Sequence, residues 1–254
     1  MKRVRPTLVA AALACLLPAA AFAAATDAQN QTETVHRVVP MGSNGTLKLH
    51  NFSGTVTITG ADVQNVTVDA VRRAPQDRLD RIKLDIQSDG STVTIEANKR
   101  GPESENMNNN VVETDFEIQV PRDAVLDIDV FSSPVTVSGV TGRQDVKSFS
   151  GGLTLRDVAS PTKAKTFSGK IDMELAGYVT QPELDLETFS GAIDLTVPSG
   201  AGAAVDLDTF SGGINSEVPL TVRSQSRRQL KGDLGQPGSG RLKVKTFSGA
   251  VRIK

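Results

Sequence analysis

The chain has 254 residues, a formal net charge of −1, 22% charged and 4% aromatic residues, no tryptophan, one cysteine and two histidines. A balance this near neutrality offers nothing to grip a nucleic-acid backbone. A single cysteine, Cys15, leaves no intrachain disulfide, so a hydrophobic core of adequate size has to hold the fold together.

The first element is a leader. Lys2, Arg3 and Arg5 precede an apolar run from Leu8 to Leu17, and Ala21-Phe22-Ala23 suits a signal peptidase, so residues 1–23 are expected to be a secretory signal peptide. The apolar run is too short to span a membrane, and Leu16, Leu17 and Pro18 after Cys15 argue against a lipid anchor there. Cleavage would remove the only cysteine, and with it thiolate chemistry and cysteine zinc sites, and would shift the net charge from −1 to −4. Export to the periplasm or cell surface follows as the expectation, with no transmembrane segment left in the mature chain.

Residues 24–130 read as less regular strands, for example "TLKLHNFSGTVTITG", "NVTVDAV", "IKLDIQSDGSTVTIEA", "FEIQVP" and "VLDIDV". The polar "KRGPESENMNNN" (Lys99 to Asn110) is expected to be a projecting loop. From residue 131 a repeat takes over. Phe-Ser-Gly stands at Phe52, Phe149, Phe167, Phe189, Phe210 and Phe247, with Phe-Ser-Ser at Phe131; the intervals from Phe131 onward are 18, 18, 22, 21 and 37 residues. Periods of this size belong to stacked repeats. The flanks "LDLETFSGAIDL", "VDLDTFSGGINS" and "LKVKTFSGAVRI" alternate on both sides of the phenylalanine, which is the signature of strands.

The alternation changes phase at the repeat. Leu184, Leu186 and Thr188 share one parity, Phe189, Ile193 and Leu195 the other, so the strand has to bend between them. Ser-Gly supplies the bend, and Gly54, Gly151, Gly169, Gly191, Gly212 and Gly249 are expected to be chosen for their tolerance of positive φ. These observations predict an all-β, single-stranded, β-helix-like solenoid over residues 24–254, built of coils of about 18–22 residues with an insertion at 223–241. The phenylalanines are expected to turn inward at a corner and stack about 4.8 Å apart, and Phe189→Ala is expected to cost roughly 3–5 kcal/mol.

The leader, the "L-x-L-x-T-F-S-G-x-I-x-L" units and the strand end at Val120-Pro121 resemble the bacterial putative-adhesin β-strand-repeat family, a domain of unknown function related to the adhesin-head GIN domain. The resemblance covers essentially the whole mature chain. It implies a β-solenoid in the cell envelope and an adhesin-like role, but fold does not license function.

The search for chemistry returns little. His36 and His50 belong to no spaced metal motif, and no residue is assigned to catalysis, to a metal or to a cofactor. Seven equivalent serines read as turn residues, and "GQPGSG" lacks the lysine of a phosphate loop. Acidic residues are the strongest candidates. With coils stacked in chain order, the position five after the phenylalanine reads Thr136, Thr154, Asp172, Asp194, Asn215, Arg252, and the position two before it reads Lys147, Lys165, Glu187, Asp208, Lys245. Asp172, Asp194, Asp208 and Glu187 form a speculative acidic ladder for a cation or basic partner, or for a polysaccharide-active enzyme. Against that enzyme stands the lack of aromatic sugar platforms, Tyr178 being the one tyrosine.

The expected function is therefore a non-catalytic exported protein that contacts an envelope protein or glycan through its faces, its Asn-rich loop (Asn106 to Asn110) or Arg223, Arg227 and Arg228. A monomer is expected, because Arg252 and Lys254 would discourage pairing at an end strand.

Overall fold

The computed structural model describes residues 30–100, 111–236, 238 and 240–254; the expected signal peptide and most of the expected loop at 99–110 lie outside them. In chain order the strands are β1 (Gln31–Pro40), β2 (Thr46–Ser53), β3 (Val56–Ala61), β4 (Asn65–Ala74), β5 (Ile82–Ser88), β6 (Thr92–Arg100) and β7 (Glu113–Pro121), with one short helix, α1 (Gln76–Arg81), before β5. The repeat region supplies β8 (Val125–Ser132), β9 (Val135–Ser138), β10 (Gln144–Ser150), β11 (Leu153–Val158), β12 (Thr162–Ser168), β13 (Ile171–Leu175), β14 (Glu183–Ser190) and β15 (Ile193–Thr196). It continues with β16 (Ala203–Ser211), β17 (Ile214–Ser216), β18 (Leu220–Gln225), β19 (Gln229–Leu234), β20 (Arg241–Ser248) and β21 (Val251–Ile253).

These strands form two sheets. Each repeat places its first strand in an eleven-stranded sheet, bends at Phe-Ser-Gly, and places its second strand in a ten-stranded sheet. Neighbouring repeats pair in parallel and in register, Ile171 with Ile193 in one sheet and Ala164 with Leu186 in the other. One repeat cannot bury its own inner face. Stacking creates one continuous core, in which Leu126, Ile128, Leu184, Leu186, Leu242 and Val244 of one sheet belong to the same buried cluster as Leu153, Ile171, Ile193, Val251 and Ile253 of the other.

Antiparallel strands terminate the stack. At one end β1 pairs with β4 and β4 with β7, while β5 pairs with β6. At the other end β18 and β19 form a hairpin that pairs with β16. The expected insertion at 223–241 is thus largely sheet, and Arg223 reaches Asp233 on the neighbouring strand at 2.5 Å.

The repeats do not stack in chain order. The C-terminal pair β20 and β21 is inserted between β14–β15 and β16–β17. The charges fit this order. Stacking in chain order would set the acids Asp185 and Glu187 beside Asp206 and Asp208. The inserted strand instead interleaves Lys243 and Lys245 between them, with Lys243 3.2 Å from Asp185 and Arg252 3.3 Å from Asp194. Each such cross-strand substitution of attraction for repulsion contributes a few tenths to about 1 kcal/mol. The expectation that "VRIK" forms a free end strand is therefore overturned, because β21 has a partner on both sides; the sheet edges are β1, β17, β18 and β5.

Candidate functional site

The recurrent phenylalanines form a ladder, but on the outside. Phe52, Phe131, Phe149, Phe167, Phe189, Phe247 and Phe210 stack in that order with ring centroids 4.6–5.0 Å apart. The expected spacing holds; the expected burial does not, since the rings are 38–50% exposed. Beyond Phe210 the stack is closed by Arg228, whose guanidinium carbon lies 4.3 Å from the ring centroid.

The inward position at the corner belongs to the residue before each phenylalanine. Ser148, Thr166, Thr188, Thr246 and Thr209 are buried there. Their hydroxyls donate to backbone carbonyls of the adjacent repeat: Thr166 to Gly151, Thr188 to Gly169, Thr246 to Gly191 and Thr209 to Gly249, at 3.0–3.2 Å. A buried carbonyl in a bend has lost its ladder partner, and the hydroxyl replaces it. Phenylalanine has no hydrogen bond to offer in that slot. The phase change therefore falls after the phenylalanine, within Ser-Gly-x, and the ring stays on the outer face of the upstream strand.

The glycines serve a purpose other than the one expected at most positions. Only Gly54 and Gly249 of the motif have positive φ, 109° and 159°. In Gly151, Gly169, Gly191 and Gly212 the constraint is close approach: a Cβ at Gly191 would stand 2.0 Å from the Gly169 carbonyl oxygen, and one at Gly169 2.2 Å from that of Gly151. Successive bends nest so tightly that no side chain fits between them.

Alongside the ladder, two residues upstream on every strand, runs a charged row. Cross-strand register gives its order as His50, Asp129, Lys147, Lys165, Glu187, Lys245, Asp208. Lys165 and Glu187 pair at 2.9 Å, the carboxylate holding the Lys165 ammonium above its usual range. Lys147, Lys165, Lys245, Glu187, Phe167, Phe189 and Phe247 line an open groove of about 490 Å³.

The four acids of the speculative ladder are not brought together. Asp172 and Asp194 are neighbours on the ten-stranded sheet, whereas Glu187 and Asp208 lie on the other sheet and are separated by Lys245. Lys170 bridges Asp172 and Asp194 at 2.9 and 2.7 Å. Arg156 at 2.7 Å, with Lys170 adding to it, holds the Asp172 carboxyl below the usual range. Partial burial pushes the Asp194 carboxyl up, but Lys170 and Arg252 more than reverse this and leave it lowered. A glycosidase needs one of its two carboxyls raised so that it carries a proton. This pair is set for ion pairing. His50 is exposed and 3.8 Å from Glu96, and His36 is 2.6 Å from Asp69.

Sequence reasoning missed the outward ladder as a surface. The signal was present: a column holding Thr or Ser before the aromatic supplies a hydrogen-bonding residue suited to the bend, which leaves the aromatic outside.

Among solved structures, a "putative cell adhesion protein" from Clostridium sporogenes is 14% identical, with 88% of this chain and 99% of that chain covered at a TM-score of 0.50. A "putative adhesin" from Bacteroides fragilis is 11% identical, covering 87% and 97% at a TM-score of 0.42. A "putative lipid binding protein" from Parabacteroides distasonis is 12% identical, covering 90% and 98% at a TM-score of 0.27. No curated protein matches the chain. The repeat-bearing part of the chain, residues 132–254, matches the model of the Toastrack DUF4097 domain, in line with the resemblance read from the repeat units there.

Proposed function

We propose that the chain is a non-catalytic β-solenoid of the bacterial cell envelope, exported by its leader to the periplasm or cell surface, with an adhesin-like role in which the phenylalanine ladder is the contact surface. The observation that carries this reading is the ladder itself. Seven rings each exposing close to half of their surface present on the order of 600 Å² of contiguous apolar area, taking about 200 Å² for a whole phenylalanine side chain. Monomeric soluble proteins seldom leave that much uncovered unless something docks there. The fold likeness to the "putative cell adhesion protein" is in keeping with this reading, and the ion-paired state of Asp172 and Asp194 argues against the polysaccharide-active alternative.

The test is site-specific photocrosslinking in the producing bacterium. A benzophenone side chain at Phe167 is expected to give defined adducts, while one at Thr154, outward on the other sheet, gives none. Equal yields at both positions, or none at Phe167, would reject the ladder as the contact surface.

A further inference from the structure

Resting on the reading of the ladder as a contact surface, we infer that its partner is a second copy of this chain, packed ladder against ladder with the stacking order reversed. The charged row argues against a polyanion. Lys147, Lys165 and Lys245 are matched by Asp129, Glu187 and Asp208, so the row is balanced. It is, however, complementary to itself read backwards.

A two-fold axis lying in the contact plane along the strand direction sets each row opposite its own copy and reverses the order. His50 then faces Asp208, Asp129 faces Lys245 and Lys147 faces Glu187, while the two Lys165 side chains meet at the axis, each held by its own Glu187 at 2.9 Å. Slipping the copies by one repeat brings like charges together, and a slip of two keeps fewer rungs in contact. A slip of one repeat in one direction sets Asp129 against Glu187 and Lys147 against Lys165; a slip in the other sets Asp129 against Asp208 and Lys147 against Lys245. The alternative axis, along the stack, puts the two charged rows on opposite sides of the ladder, where they cannot meet.

The unsatisfied charges fall in the right places. Asp129, Asp208 and Lys245 make no ion pair among the described residues; across the axis Asp129 and Lys245 match each other, and Asp208 meets the His50 imidazole. The ends agree too, since Arg228 stands beyond Phe210 and Glu96 beyond His50, so reversal brings the basic end of one copy to the acidic end of the other. The ladder area of about 600 Å², with part of the charged row added, approaches the roughly 800 Å² per partner of a standard interface. Charge complementarity fixes the register and apolar area drives the association.

Sedimentation velocity on the purified protein from about 1 to 500 μM tests this, with near-ultraviolet and far-ultraviolet circular dichroism to verify that each variant is folded. The wild type is expected to dimerise within that range. Lys147→Glu and Glu187→Lys are each expected to weaken the dimer at least tenfold, the double exchange to restore it to within about threefold, and Thr154→Glu on the other sheet to leave it unchanged. Phe167→Ser, at the centre of the ladder, is expected to abolish it. A wild type that stays monomeric at 500 μM overturns the second copy as partner, and so does a dimer indifferent to the charge exchange. Crosslinks from Phe167 to other proteins alone would likewise overturn it while leaving the ladder as a contact surface.

Discussion

Deleting an entire phenyl ring from the repeat should cost less stability than adding one methyl group beside it. Phe189 is 46% exposed, so truncation to alanine surrenders only the stacked half of the ring, about 100 Å². At about 25 cal/mol per Å² that is close to 2.5 kcal/mol before the neighbouring rings close over the gap, and 1–2 kcal/mol afterwards. Gly191→Ala places a Cβ 2.0 Å from the Gly169 carbonyl oxygen, with the carbonyl carbon at 2.6 Å and the Lys170 nitrogen at 3.3 Å behind it. All three are backbone atoms pinned in a parallel ladder, so relief requires two repeats to separate locally, at a cost of about 3 kcal/mol or more. Urea unfolding followed by circular dichroism gives both values on one scale. If Phe189→Ala proves the more destabilising of the two, the rings belong to the core and the outward assignment of the ladder is wrong.

Three further outcomes follow from the same geometry. Thr188→Val should destabilise by about 1–3 kcal/mol by orphaning the buried Gly169 carbonyl, whereas Thr188→Ser should stay within about 0.5 kcal/mol; equal effects in chemical denaturation would show that the hydroxyl is idle. Asp172 and Asp194 have folded-state pKa values below their unfolded ones, so their contribution is complete above about pH 4 and is lost as pH falls through the lowered values. Lys170→Met should therefore move the acid-unfolding midpoint to higher pH, by an amount worth about 1 kcal/mol or less given the exposure of the pair, and superimposable acid titrations would count against the bridge. Removing residues 241–254 should abolish cooperative unfolding, because it empties an interior place in both sheets; a truncated chain that still melted in one sharp transition would contradict the insertion.

The strands, the bend at Ser-Gly and the ring spacing were legible because each depends on local alternation and on a spacing that any parallel stack imposes. The side on which the phenylalanine falls was not. Phe189 shares parity with Ile193 and Leu195, and hydrophobicity favours grouping it with them, yet three residues of bend intervene and only Thr188 can satisfy the carbonyl inside. Repeat order was illegible for a different reason. Units with the same Thr-Phe-Ser-Gly register pair equally well with any neighbour, so the interval of 21 between Phe189 and Phe210 looks like direct succession although Phe247 stands between them. Charge does distinguish the arrangements. The acids at 185, 187, 206 and 208 and the lysines at 243 and 245 alternate in sign when interleaved.

That interleaving changes how the fold can form. In a stack that grows in chain order, each repeat adds to the edge left by the one before it, and sequence separation between partners stays near one repeat length. Here β14 and β16 are joined through β20, with Leu184 opposite Leu242 and Val205 opposite the same residue. Leu184 is separated from its partner by 58 residues, and the intervening β16–β19 segment has to fold back before the last strand can enter. Until β20 and β21 arrive, the edges of β14, β15, β16 and β17 are bare, with Asp185 and Glu187 on one side of the gap and Asp206 and Asp208 on the other. Repulsion across the gap disfavours its closing without the basic strand; Lys243 and Lys245 relieve it in the eleven-stranded sheet, and Arg252 meets Asp194 in the other. The chain's final segment completes its core, and the ladder becomes continuous only at that step, when the Phe247 ring takes its place between Phe189 and Phe210.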